Sequence, residues 1–252
     1  MAPVPGLWVA GGWGLLAGSA LLLGALVGYL ARVPAAVVAG VMAFGSGVLL
    51  SAVSFELVAE AHERGGLAAT AAGTAVGAVV YTLANVVLAG RGARHRKRSG
   101  GQQPSEDEQA GSGGAIALGA LLDGVPESIV IGTSLLGGGS VSAATVAAVF
   151  ISNVPEGLSS ASGMRRAGRG PRYVFALWGG IALISALAAM LGHGVLGGAS
   201  PQVLAGITAL AGGAILAMVA DTMIPEAFED ARLWSGLITV AGFLTAFALS
   251  RL

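Results

Sequence analysis

Two short segments hold acidic residues inside long apolar stretches. They are Leu122-Asp123-Gly124-Val125-Pro126-Glu127-Ser128 and Ser152-Asn153-Val154-Pro155-Glu156-Gly157. Asp123 and Glu127 are four apart and Asn153 and Glu156 three apart, so on a helix each pair shares one face. Each glutamate follows a proline, which removes an intrahelical hydrogen bond and frees the carbonyl four residues earlier, those of Leu122 and Ile151. Facing each other, the segments would offer Asp123, Glu127, Asn153 and Glu156 to a metal ion, with Leu122 and Ser152 as weaker donors. A divalent cation is what that set needs to offset several buried negative charges. No Lys or Arg lies inside either apolar stretch to do so. The donors are all oxygen, which favours manganese, magnesium or calcium, although zinc also accepts carboxylates.

The elements that position these residues are read from hydropathy. Of the 252 residues 55% are hydrophobic and only 10% charged, and mean hydropathy is +0.81. Soluble domains carry about a quarter charged residues, so too few are present here to cover a water-facing surface. A span needs roughly 20 apolar residues. Eight stretches qualify: Leu7 to Ala31, Pro34 to Glu60, Leu67 to Gly90, Gly114 to Gly137, Val141 to Met164, Tyr173 to Leu191, Val203 to Phe228 and Leu233 to Leu252. The expected fold is therefore all-α, a polytopic membrane bundle forming one domain over residues 1–252. The N-terminus shows neither a basic region nor a cleavage signal, so its apolar run reads as the first span.

Residues 91–113 form the one hydrophilic stretch, basic at Arg91, Arg94, Arg96, Lys97 and Arg98 and acidic at Glu106, Asp107 and Glu108. Its Ser, Gly, Gln and Pro content predicts a flexible, solvated cytoplasmic loop between spans three and four. With the spans alternating, Arg32, Arg165, Arg166, Arg169, Arg172 and Arg232 join it on one side, and only Arg64 and Arg251 fall opposite. The positive-inside rule thus predicts a multi-pass protein of the cytoplasmic membrane with both termini outside.

Span two ends in Glu60-Ala61-His62-Glu63 and span seven in Glu226-Ala227-Phe228-Glu229. The two acidic ends would face opposite sides, as in an inverted repeat. Glu56 and Glu60 would receive ions on one side, and Asp221 and Glu226 would release them on the other. His62 and His193 near span ends read as interfacial residues, and Trp8, Trp13, Trp178 and Trp234 as interfacial anchors.

The paired pro-Glu segments resemble those of the ZIP (ZRT/IRT-like) family of metal transporters. Span four is similar to that family's His-Asn-x-Pro-Glu-Gly segment, and Asn153-Val154-Pro155-Glu156-Gly157 to its companion. The likeness extends in span number and loop position from Leu7 to Leu252. It implies a bundle with spans 1–3 and 6–8 as an inverted repeat around spans 4 and 5, and metal held between those two. Glu127 and Glu156 would bridge two ions, with Asp123 at the usual histidine position and Asn153 at a ligand position. Gly124 stands in place of an Asn, Ser152 where many members have His, and Ala186 near a common Glu, so one well-formed metal position is expected.

The implied function is passage of divalent metal toward the cytoplasm, zinc by resemblance, with manganese, iron and cadmium as further candidates. The metal would be cargo rather than cofactor, and the partners the lipid bilayer and, by resemblance, a second copy in a homodimer. Zero net charge points to no nucleic acid, and the absence of cysteine excludes thiolate sites. No enzymatic activity is expected. The alternatives are a non-transporting metal-sensing or structural homologue and, remotely, an intramembrane aspartyl hydrolase using Asp123 and Asp221, which lack the Gly-x-Gly-Asp context.

Overall fold

The computed structural model describes residues 4–98, 102–136 and 143–251, and among them the protein is all-α. Helix α1 spans Val4–Leu30 and α2 Ala35–Ala52; a wider π-helical turn, Val53–Val58, leads into α3, Ala59–Leu88. Then come α4 (Ser112–Ser134), α5 (Ala143–Arg166), α6 (Pro171–Leu196) and α7 (Pro201–Met218). A second π-helical turn, Val219–Met223, leads into α8 (Ile224–Ala231), and α9 covers Ser235–Leu249.

Among the described residues five helical stretches are long and apolar enough to cross a membrane: Gly6–Leu30, Ala35–Ala93, Ser112–Ser134, Pro171–Leu196 and Pro201–Leu249. The sequence predicts eight. Two of the five, of 59 and 49 residues, would exceed 70 Å if straight, at about 1.5 Å per residue, against roughly 30 Å of hydrocarbon. The first reverses at Gly66 (φ 73°, ψ 174°) and turns again near its end at Gly92 (φ 98°), and the second reverses at Arg232 (φ 45°). Glycine takes a positive φ without steric cost, whereas Arg232 carries a Cβ at its own positive φ. Before Gly66 the chain descends α7, with Leu57 beside Gly212 and Gly65 beside Ala205; after it the chain climbs back, with Gly73 on Gly206 and Gly77 on Leu210. Past Arg232, α9 likewise runs up α2, Gly242 lying on Phe44 and Phe247 on Phe55.

Helix α5 is not among the five apolar stretches, and its position explains why. It carries Ser152, Asn153, Glu156, Ser159 and Ser160, all buried, against α1 and α2. A helix enclosed by protein can be polar where a lipid-facing one cannot. The exposed apolar residues instead lie on outer helices, such as Val79, Leu83 and Val86 of α3, Leu183 and Leu187 of α6, and Val240 and Leu244 of α9.

Two cores flank the centre. One joins α1, α4, α5 and α6 through Leu21, Ile116, Met164 and Ile181. The other joins α2, α3, α7 and α8 through Met42, Leu49, Tyr81, Ile215 and Ala227. Helices α2 and α7 correspond in detail: starts, π-helical turns and breaks stand 166 positions apart (35 to 201, 53 to 219, 66 to 232).

The connection between α3 and α4 departs from the solvated linker read from its composition. Arg96, Lys97 and Gln103 are buried. Gly92, at φ 98°, turns the chain inward, and a Cβ there would meet that of Ser112 at 2.8 Å. The Gln103 side-chain amide then donates to the carbonyls of Arg96 (2.9 Å), Arg98 (3.1 Å) and Ser160 (3.2 Å). The physical reason lies in the acids of α4 and α5, which lack a basic partner on their own helices.

Candidate functional site

Pro126 lies inside α4 and Pro155 inside α5, each one residue before a glutamate buried in the protein. Asp123, one turn before Glu127, is buried with them. Around Asp123 the partners are complete. The Tyr81 hydroxyl donates to Oδ1 at 2.7 Å, Arg96 Nε to Oδ2 at 3.2 Å, and Arg96 Nη2 to Oδ1 at 3.1 Å. Arg96 also donates through Nη1 to Asn85 Oδ1 and through Nη2 to the Tyr81 oxygen, each at 2.8 Å. Lys97 Nζ lies 3.2 Å from Asp123 Oδ2 and 3.2 Å from Glu156 Oε2. Arg98 pairs with Glu226, Nε to Oε2 3.5 Å, and with Glu229. Three consecutive cations thus run from the middle of the bundle to its end, each on acids of another helix.

Glu127 differs. It is 3% exposed, and no side-chain hydrogen bond or ion pair reaches it among the described residues. Arg96 and Lys97 balance Asp123 and Glu156 in formal charge, which leaves Glu127 the unmatched acid. An unmatched buried charge is costly.

Two acid-lined pockets lie at opposite ends. One, a cavity of about 300 Å³, is lined by Glu56, Glu60 and Glu63 with Thr133, Thr145 and Leu204. Its Leu57, Val130 and Thr145 also line a cavity of about 10 Å³ bounded by Glu127, Leu49 and Ile215. That neck has room for no more than a water molecule. At the other end Glu226, Glu229 and Asp230 meet Val38, Met42 and Arg98.

The expected site residues therefore divide. Asp123, Glu127 and Glu156 come to the bundle interior, and Glu56, Glu60 and Glu226 line the two mouths. Glu56 accepts a hydrogen bond from Thr145, and Glu60 pairs with Arg64 at 2.6 Å. Asn153 turns to α1, its Nδ2 donating to the Ala17 carbonyl at 3.0 Å, and Ser152 Oγ donates to Val149 O of its own helix at 2.9 Å. Leu122 is half-buried on α4 and packs against the cores. Asp221 is exposed beside Thr82, whose hydroxyl donates to it at 3.4 Å, and it lines neither mouth. Among the described residues no three His, Asp or Glu side chains converge closely enough to hold a metal ion.

Two further expectations change. Trp178 is 1% exposed and lines a small cavity with Arg96 and Lys97, whereas Trp8 and Trp234 are exposed as interfacial residues would be. His193 is buried against Gly6 rather than at a wet span end. Outside the spans, the backbone N–H groups of Gly113 and Gly111 hold the Glu106 carboxyl below the usual range, and burial, with Arg98 and Arg94, lowers His95.

Sequence reasoning missed Tyr81, Asn85, Arg96, Lys97 and Gln103. One signal was present: acids at membrane depth with no basic residue in their own spans must draw counter-charge from elsewhere. The densest supply is the run Arg94 to Arg98. No protein-family model matches this chain, and no curated protein matches it significantly.

Proposed function

We propose that the protein is an eight-span permease for divalent metal cations, of the type its pro-Glu segments resemble. The observation that carries this reading is the burial of Asp123, Glu127 and Glu156 on two proline-containing helices between two acid-lined pockets. Reversal at Gly66 and Arg232 divides the two longest stretches into four, and α5 supplies the eighth span. The alternation of direction this requires agrees with α3 running parallel to α7 and α2 parallel to α9.

Helices α2 and α7 run oppositely, since Glu60 shares a mouth with Leu204 and Glu226 shares the other with Val38. Their matched turns and breaks support an inverted repeat of spans 1–3 and 6–8 around α4 and α5. With the basic connection cytoplasmic, the Glu56–Glu63 mouth faces outside and the Glu226–Asp230 mouth inside. Metal entering outside would pass the neck to Glu127, engage Glu156 and Asp123, and leave past Glu226. Oxygen donors suit manganese or zinc.

Uptake of Zn²⁺ or Mn²⁺ into proteoliposomes tests the reading. Wild type should accumulate metal, and Glu127→Ala and Glu156→Ala should not; equal flux in all three sinks it. The ion pairs to Arg96 and Lys97 favour one second reading, a metal-responsive or structural membrane protein whose centre is fixed by its own cations. It predicts no wild-type flux.

A further inference from the structure

Lys97 carries a charge to the middle of the bundle from outside the spans, and its neighbours account for how it stays there. The side chain is 1% exposed. Its ammonium sits between Asp123 on α4 and Glu156 on α5, 3.2 Å from an oxygen of each. Arg96 on one side braces Asp123 and Tyr81, and Arg98 on the other closes on Glu226 and Glu229 in the inner mouth. Gly92 and Gln103 fix the two ends of this strap. A cation tethered to the chain therefore stands where the two carboxylates would grip a free one, and a second obstructs the way out.

We infer that the Arg96-Lys97-Arg98 strap is a built-in competitor for the carboxylate centre, with Lys97 occupying the cation position until a divalent ion displaces it. This rests on the permease-type site proposed above but concerns its regulation.

The chemistry of the exchange is direct. A divalent ion binds carboxylate oxygens at about 2.0–2.2 Å, well inside the present contacts. Asp123, Glu127 and Glu156 must therefore close around the ion as the ammonium leaves. The unmatched Glu127 gives the ion a charge that the strap does not satisfy. Arg96 can keep Asp123 partly neutralised while Lys97 withdraws, so the centre never carries all three acids without a cation. The exchange is one of occupancy and requires no covalent step.

Lys97 is the only lysine among the 252 residues, so amine-directed reductive methylation reports on this side chain alone, apart from the N-terminal amine. Purified protein in nanodiscs would be methylated with a chelator present and again with Zn²⁺ or Mn²⁺, and Lys97 modification measured by peptide mass. The expected result is protection in chelator and modification about tenfold faster at saturating metal. Protection unchanged by metal overturns the inference, as does full modification in chelator.

Lys97→Met supplies a second readout. If the strap is docked about nine-tenths of the time, apparent metal affinity measured by titration should rise about tenfold. Lys97→Arg should leave affinity near wild type, and Met and Arg variants of equal affinity would overturn the inference. The methylation arm uses wild-type protein, so it decides the matter even where a variant fails to fold. Failures of the two proposals separate cleanly. Metal flux abolished by Glu156→Ala with Lys97 still protected leaves the permease reading standing and the competitor wrong. Metal-driven exposure of Lys97 without flux does the reverse.

Discussion

Lys97 reaches Glu156 by a 3.2 Å contact that joins the connection after α3 to the middle of α5. Both groups are buried, so the contact links two parts of the molecule at a depth where neither charge is tolerated alone. Breaking one side of a buried pair costs about 3–5 kcal/mol because the other charge is left unmatched, while replacing both by neutral groups costs much less.

Lys97→Met should therefore lower the unfolding temperature of the metal-free protein in detergent, and so should Glu156→Gln. The double variant should lie closer to wild type than the sum of the two losses predicts. Saturating Zn²⁺ or Mn²⁺ should return most of the Lys97→Met loss, since the ion replaces the missing cation. Strictly additive losses would show that the pair is not coupled.

The acids of this centre were legible because carboxylates beside prolines in apolar stretches stand out against everything around them. The likeness of Glu60-Ala61-His62-Glu63 to Glu226-Ala227-Phe228-Glu229 was visible in the sequence, and the π-helical turns and the breaks at Gly66 and Arg232 stand at the same spacing of 166 positions. The strap was not legible. Composition describes what a segment such as 91–113 would do alone, and a Ser-, Gly- and Arg-rich segment alone is solvated. Its burial is a tertiary effect, set by uncompensated acids on other helices. The partner of Asn153 was hidden for a related reason: helical spacing puts it on the face of Glu156 only broadly, and the Ala17 carbonyl of α1 captures its amide.

That capture sets an expectation for Asn153→Ala. The lost hydrogen bond to Ala17, whose carbonyl keeps its own helical donor, should cost about 0.5–1.5 kcal/mol. Affinity for Zn²⁺ or Mn²⁺ should stay within about twofold of wild type, since 1.4 kcal/mol of binding energy would be tenfold. Titration of the folded variant measures this directly. A tenfold loss of affinity with little change in unfolding temperature would make Asn153 a metal ligand instead.

Gly92 offers a way to loosen the strap without touching any charge. At φ 98° the backbone is open to glycine, and a Cβ would meet Ser112 Cβ at 2.8 Å and Gln109 Oε1 at 3.0 Å. Gly92→Ala should cost about 1–3 kcal/mol where the present turn is kept, and the chain avoids that cost by swinging the strap outward. The carboxylates, Arg96 and Lys97 are all still present in this variant. Lys97 should then be methylated in chelator faster than in wild type, and metal should bind more tightly. If Gly92→Ala lowers the unfolding temperature while Lys97 stays as protected as before, the turn serves folding and does not control how the strap docks.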